Sequence, residues 1–159
     1  MNKDIPGEVF FLRARIKKFM KYIIHTDGGA RGNPGPAAVG VVIETDSRKL
    51  IVEFGKRIGE TTNNVAEYTA VREGLAYLNS QIPNPNDQTK EKLEIHFFLD
   101  SNLVVQQLNG IFKVKDANLR NLFFDVRLLE QEVGGVVTYS YVPREQNKRA
   151  DYFVNKALD

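Results

Sequence analysis

The 159-residue sequence contains no cysteine and no tryptophan. Disulfides, zinc-thiolate sites and iron-sulfur clusters are thereby excluded, and the redox compartment is left undetermined. Long apolar runs are also missing. None approaches the roughly 20 residues that span a bilayer, and the first 20 positions are broken by Asp4, Glu8, Arg13, Arg15, Lys17 and Lys18, so neither a membrane span nor a secretion leader is expected. An excess of one charge is lacking too. With 22 basic and 20 acidic residues the net charge is +2, so phosphate binding has to come from local arrangement. The sequence shows no internal repeat and no low-complexity tract. A cytoplasmic monomer with no membrane association and no obligate protein partner is the expectation these absences leave.

What is present suits one globular domain: 42% of residues are apolar and 26% charged, enough for a sizeable core. We divide the chain into an N-terminal extension over 1–20 and a domain over 21–159. Met20 immediately precedes the first predicted strand, which makes it an alternative start. Lys21–Thr26, Ala37–Thr45 and Leu50–Ile58 read as three strands joined by short connections, hence an antiparallel meander. From Asn63, a favoured cap residue, the period becomes helical through Val65, Tyr68, Val71, Leu75 and Leu78. The segment Ile82–Lys92 (IPNPNDQTKEK) reads as a surface loop, and Leu93–Leu99 as a buried strand. Helices are expected over Ser101–Leu108 and Ala117–Val133, with a strand over Gly135–Val142. After Asn147 a final helix carries the stripe Ala150, Phe153, Val154, Ala157, Leu158. The fold class is therefore α/β, with a mixed five-stranded sheet, three strands antiparallel and then two parallel, flanked by helices.

Four acids stand out by position. Asp27 follows the first predicted strand and opens the glycine-rich stretch DGGARGNPGP, a composition that suits either a plain turn or close approach of backbone to a ligand. Asp100 ends an apolar strand, and open α/β sheets bind ligands beyond the carboxyl ends of their strands. Glu67 shares the first turns of a helix with Asn63 and Asn64, where a capping network around a solvated carboxylate is the plainer alternative. Asp151 lies in the first turn of the last helix, where compensation of the helix dipole alone would also account for it. Four hard oxygen donors suit magnesium or manganese, and gathering them without a cation would raise their pKa values by mutual repulsion.

The segments TDGGARGNPG (26–35), TTNNVAEYTA (61–70), LDSNLVVQQL (99–108) and REQNKRADYFVNKAL (144–158) together resemble the type 1 ribonuclease H family, in its order and spacing and closest to its compact archaeal and bacterial members. The resemblance runs from Lys21 to the C-terminus and implies the ribonuclease H-like fold. It implies a metal-binding catalytic quartet of Asp27, Glu67, Asp100 and Asp151. Two Mg2+ ions, with Mn2+ able to substitute, would hydrolyse the RNA strand of an RNA/DNA hybrid by in-line displacement, leaving 5′-phosphate and 3′-hydroxyl ends. It further implies that Asn33, Asn63, Asn64 and Asn102, with the main chain at Gly28 and Ala30, contact the hybrid, since amides can both donate to and accept from a 2′-hydroxyl. Little sequence preference is expected.

Two departures from the family pattern stand out. The histidine that many members carry before the last aspartate is replaced by Pro143, Arg144, Glu145, Gln146 and Asn147, with Arg144 or Glu145 as candidate substitutes and a solvated loop as the plainer alternative. The basic, tryptophan-bearing protrusion of larger relatives is reduced to Asn109–Asp116, with only Lys113 and Lys115. His25 and His96 share strand parity with Asp27 and Asp100, which allows a cross-strand contact, although structural histidines are the simpler expectation because the oxygen set is already complete. Arg13, Arg15, Lys17, Lys18 and Lys21 form a basic run, either a phosphate patch or a solvated arm. The alternatives to hybrid cleavage are a same-fold nuclease acting also on double-stranded RNA, a DNA-directed member of the wider superfamily, and a non-catalytic hybrid-binding module.

Overall fold

A computed structural model of the chain describes residues 20–81 and 93–159. The extension before Met20, four of the five basic residues just named and the Ile82–Lys92 loop lie outside the described residues. Five strands, β1 (Lys21–Ala30), β2 (Gly35–Thr45), β3 (Leu50–Thr61), β4 (Glu94–Leu99) and β5 (Val136–Tyr141), form one sheet in the order β3-β2-β1-β4-β5. The pairs β1–β2 and β2–β3 are antiparallel, and β1–β4 and β4–β5 are parallel, as the sequence predicts. The helices among the described residues are α1 (Asn63–Gln81), α2 (Asn102–Leu108), α3 (Ala117–Val133) and α4 (Lys148–Leu158), with a 3-10 turn at Arg144–Gln146.

Consecutive strand residues face opposite ways, and Gly28 and Gly29 show what covers each face of the sheet. A Cβ on Gly28 would lie 2.2 Å from the Ala66 backbone of α1, whereas one on Gly29 would meet Val154 of α4. Beneath α1 lies the main core, where Ile24, Val41, Ile43, Ile95, Phe97 and Leu99 from the sheet meet Tyr68, Val71, Leu75 and Leu78. α3 packs on α1, and its Val126 and Val133 close that core. On the opposite face α4 lies across β1, β2 and β3 over a smaller cluster of Ala38, Val154 and Leu158. The row Asp27–Gly40–Gly55 runs across three paired strands on this face. Side chains at Gly40 and Gly55 would collide with the Ala150 and Phe153 carbonyls, at 2.1 and 2.2 Å. The two glycines thus let α4 lie directly on the sheet, next to the aspartate that completes the row.

Several boundaries differ from the sequence expectation. β1 does not stop before Asp27 but continues through Gly28 and Gly29 to Ala30, because these residues pair with Val39, Ala38 and Ala37 of β2. Only the middle of the glycine-rich stretch is a loop. The cap of α1 is Thr62, whose hydroxyl accepts from the Val65 N–H, and Asn63 is the first helical residue. Ser101 caps α2 instead of belonging to it. The two histidines do not meet: in the β1–β4 register Ile23 stands beside His96 and His25 beside Phe98, on which it stacks at 5.3 Å. His96 instead bonds Thr138 and Glu94.

Candidate active site: four carboxylates at one end of the sheet

β1 and β4 run parallel, so Asp27 near the end of one and Asp100 just past the end of the other emerge at the same edge. Glu67 comes to them because α1 rests on the bare backbone of Gly28, and Asp151 because α4 rests on Gly40. One oxygen each from Asp27, Glu67 and Asp100 lie within 4.8 Å of one another. Asp151 is not in that group but lies close enough to the Asp27 carboxyl to raise its pKa. Asp27 and Glu67 are both 7% exposed, the Asp100 side chain is buried to the same degree, and Asp151 is half-buried. The capping network around a solvated glutamate is therefore corrected: Glu67 points inward.

Burial first, and repulsion from Asp100 and Asp151 second, push the Asp27 carboxyl from 3.8 up to about 8, against a smaller opposing hydrogen bond from the Gly28 backbone. Glu67 is raised well above the ordinary glutamate range by burial and then by Asp27 and Asp100. Asp100 is also raised, chiefly by burial, while Arg144, whose Nε stands 4.0 Å from its Oδ2, and a hydrogen bond from Asn147 pull it back. Glu67 Oε2 is buried and has no hydrogen-bond partner. An all-oxygen cluster whose negative charges repel, with one buried acceptor unpaired, is the donor set a hard divalent cation satisfies. Zinc is disfavoured, since neither imidazole nor thiolate reaches the cluster.

The carboxylates open onto a cavity of about 370 Å3 that is also lined by Gly28, Ala30, Asn63 and Asn64. Asn33 and Asn102 are not among its lining residues. The Asn33 side-chain Oδ1 accepts from the Asn63 N–H at 2.9 Å, and the Asn63 side-chain Oδ1 accepts from the Ala30 N–H at 2.9 Å, so the strand-end loop and the start of α1 are locked together. Asn102 accepts from Gln106 one turn on. Arg144, weighed in sequence as a substitute for the missing histidine, does line the cavity; Glu145 does not. Sequence reasoning missed Arg31, Ser101 and Asn155 in the wall. Arg31 bonds the Leu158 and Asn155 carbonyls and the Asp159 carboxylate, closing the far end of α4 onto the glycine-rich loop. Nothing in the local sequence marks a partner more than 120 residues away.

A family model described as reverse transcriptase-like matches residues 25–157. The bifunctional protein Rv2228c of Mycobacterium tuberculosis is 39% identical over 142 residues, covering 88% of this chain and 36% of that protein. The chain thus spans about a third of the length of this mycobacterial relative. The ribonuclease HI of Halobacterium salinarum is 39% identical over 135 residues, 84% of this chain and 62% of that one. Among solved structures, LC11-RNase H1 in complex with RNA/DNA hybrid superposes with a TM-score of 0.79 at 42% identity, covering 87% of this chain and 96% of that one. A family match from the first strand to the last helix, together with relatives of this identity sharing the five-stranded sheet, shows that the chain belongs to the type 1 ribonuclease H family.

Proposed function

We propose that the domain over 21–159 is an endonuclease that hydrolyses the RNA strand of RNA/DNA hybrids, with Asp27, Glu67, Asp100 and Asp151 holding two Mg2+ ions, replaceable by Mn2+. The observation that carries this reading is the convergence of the Asp27, Glu67 and Asp100 oxygens within 4.8 Å, beside Asp151, in an open cavity. The bound ions would lower the pKa of the attacking water and neutralise charge on the leaving 3′ oxygen, giving 5′-phosphate and 3′-hydroxyl products.

The chain's own groups do the rest. Buried Asp27 and Glu67 supply the rigid, deep side of the metal site, and the Gly28 backbone favours the ionised form of Glu67 against its burial. Asp100, its side chain also buried, adds to that side, and Asp151 supplies the half-exposed side, which a phosphate can approach from solvent. Arg144 partly offsets the burial that raises Asp100 and places a cation at the cavity wall. Asn64, whose amide has no partner in the protein network around Asn63, and the backbone at Gly28 and Ala30 face the cavity where a 2′-hydroxyl would lie. Asn33 acts one step back, by fixing Asn63, and Asn102 lies outside the cavity at the start of α2. We place the enzyme in the cytoplasm as a monomer; no described helix is long and apolar enough to cross a membrane.

The test is incubation with matched RNA/DNA hybrid, double-stranded RNA and double-stranded DNA in Mg2+, Mn2+ or EDTA, with analysis of the product ends. Metal-dependent cutting of the hybrid's RNA to 5′-phosphate products is expected. Tight hybrid binding with no cutting in either metal would favour a binding module instead.

A further inference from the structure

Asn147 is almost completely buried, at 1% exposure, yet its side chain takes no part in capping the helix it precedes. Its bonds go elsewhere. The β1–β4 ladder ends at the pair His25–Phe98, and the Thr26 carbonyl just beyond it accepts from Asn147 Nδ2 at 2.8 Å. The same side chain lies near enough to the Asp100 carboxylate to favour its ionised form. Its backbone carbonyl accepts the Asp151 N–H at 3.1 Å, and its N–H bonds the Arg144 carbonyl at 2.9 Å. The Asn147 side chain thus links the residue before Asp27 to the surroundings of Asp100, while its backbone bonds Arg144 and Asp151. Its Oδ1 is a second buried acceptor at this site without a partner in the protein, alongside Glu67 Oε2.

We propose that Asn147 is a positioning residue: it sets the separation of Asp27, Asp100 and Asp151, and so determines how tightly this chain holds its divalent ions. The inference rests on the quartet being the metal site. The physical case is that the three acids sit on elements with no covalent reason to keep a fixed distance, namely a strand, the turn after a second strand and a helix. Electrostatic repulsion drives them apart, and each buried acceptor that Asn147 satisfies would otherwise be unpaired. Partners that orient ligand carboxylates commonly change metal affinity or activity by about 10- to 100-fold when removed.

The test uses Asn147→Ala, Asn147→Asp, Asp100→Asn and Val133→Ala in the full chain. Asn147→Asp keeps the size of the side chain while losing the donor; because it also adds a buried carboxylate beside the acids, its folding is verified by circular dichroism before metal binding is compared. Val133→Ala destabilises the core far from the site. Mg2+ and Mn2+ binding are measured by titration calorimetry, hybrid affinity in EDTA, and cleavage as a function of Mg2+ concentration. The expected result for both Asn147 variants is metal binding weakened about 10- to 100-fold, and the Mg2+ midpoint of cleavage raised in parallel, with hybrid affinity within about threefold of the parent. Val133→Ala should leave the metal midpoint unchanged. Unaltered metal binding in folded Asn147→Asp, or an equal loss in Val133→Ala, overturns the proposal. If Asp100→Asn also binds metal as the parent does, it is the quartet reading that fails; if only the Asn147 variants are unaffected, that reading stands and this one falls.

Discussion

Replacing Asp27 with Asn is expected to make the metal-free protein more stable while removing its metal-dependent chemistry. Asp27 is 7% exposed and its carboxyl is pushed up to about 8 by burial and by Asp100 and Asp151. The unfolded chain releases this proton near about pH 4, so the folded state is the better proton binder between the two values. The contribution to stability is therefore fully present below about pH 4 and is lost as the pH rises through about 8. Taken alone, a rise from 3.8 to about 8 is equivalent to ~6 kcal/mol. The repulsion is shared with Glu67, Asp100 and Asp151, and one retained proton relieves much of it, so we expect a net penalty of ~2–3 kcal/mol at mildly alkaline pH. For a chain of this size that is a gain of roughly 5–10 °C in Tm for Asp27→Asn in EDTA near about pH 9, and little difference near about pH 4. Thermal unfolding followed by circular dichroism at both pH values, with and without Mg2+, is the assay. Mg2+ should raise the parent's Tm at the alkaline pH and leave the variant's nearly unchanged. A variant no more stable than its parent in alkaline EDTA would refute the electrostatic reasoning, whatever its activity.

Three further outcomes follow from the same geometry. Gly28→Ala puts a Cβ within 2.2–2.4 Å of the Ala66 and Glu67 backbone, so α1 must retreat. A loss of ~3 kcal/mol or more in urea unfolding, together with collapse of cleavage, is expected, and a near-neutral result would mean that the helix is not seated as described. Arg144→Ala removes a cation that holds Asp100 down, so the acidic limb of the pH–rate profile should move to higher pH, while thermal stability is almost unchanged because Arg144 is exposed. Phe97→Ala empties a fully buried position stacked at 5.2 Å on Tyr139 and should cost ~3–5 kcal/mol of stability with the metal midpoint unmoved.

The sequence made the helices legible because their apolar period is long and unbroken: the bounds of α3 at Ala117 and Val133 are those its pattern predicts. The order of antiparallel and parallel strands was also legible, since short connections and helical crossovers constrain it. The end of β1 was not. Glycines at 28 and 29 signal a turn locally, and only the partner strand across the sheet makes them strand residues. The burial of Glu67 was hidden for a related reason: a glutamate one turn into a helix reads as solvated until the neighbouring strand is seen to lack a side chain at Gly28. Asn147 reads as the end of a solvated loop, because nothing nearby in the chain reveals that it reaches Thr26, 121 positions earlier. The four acids could be named individually, but no local pattern gathers them. Their assembly depends on the row Asp27–Gly40–Gly55, whose members come from three different strands.

The most direct test of the central claim is cleavage of an end-labelled RNA/DNA hybrid by the parent chain and by Asp100→Asn, each in Mg2+ and in EDTA, with folding of both checked by circular dichroism. We predict that the parent cuts the RNA strand only in Mg2+, and that the folded variant does not cut it under either condition. Cleavage by Asp100→Asn at the parent's rate, or cleavage by the parent in EDTA, would contradict the assignment of this carboxylate cluster as the metal-dependent catalytic centre.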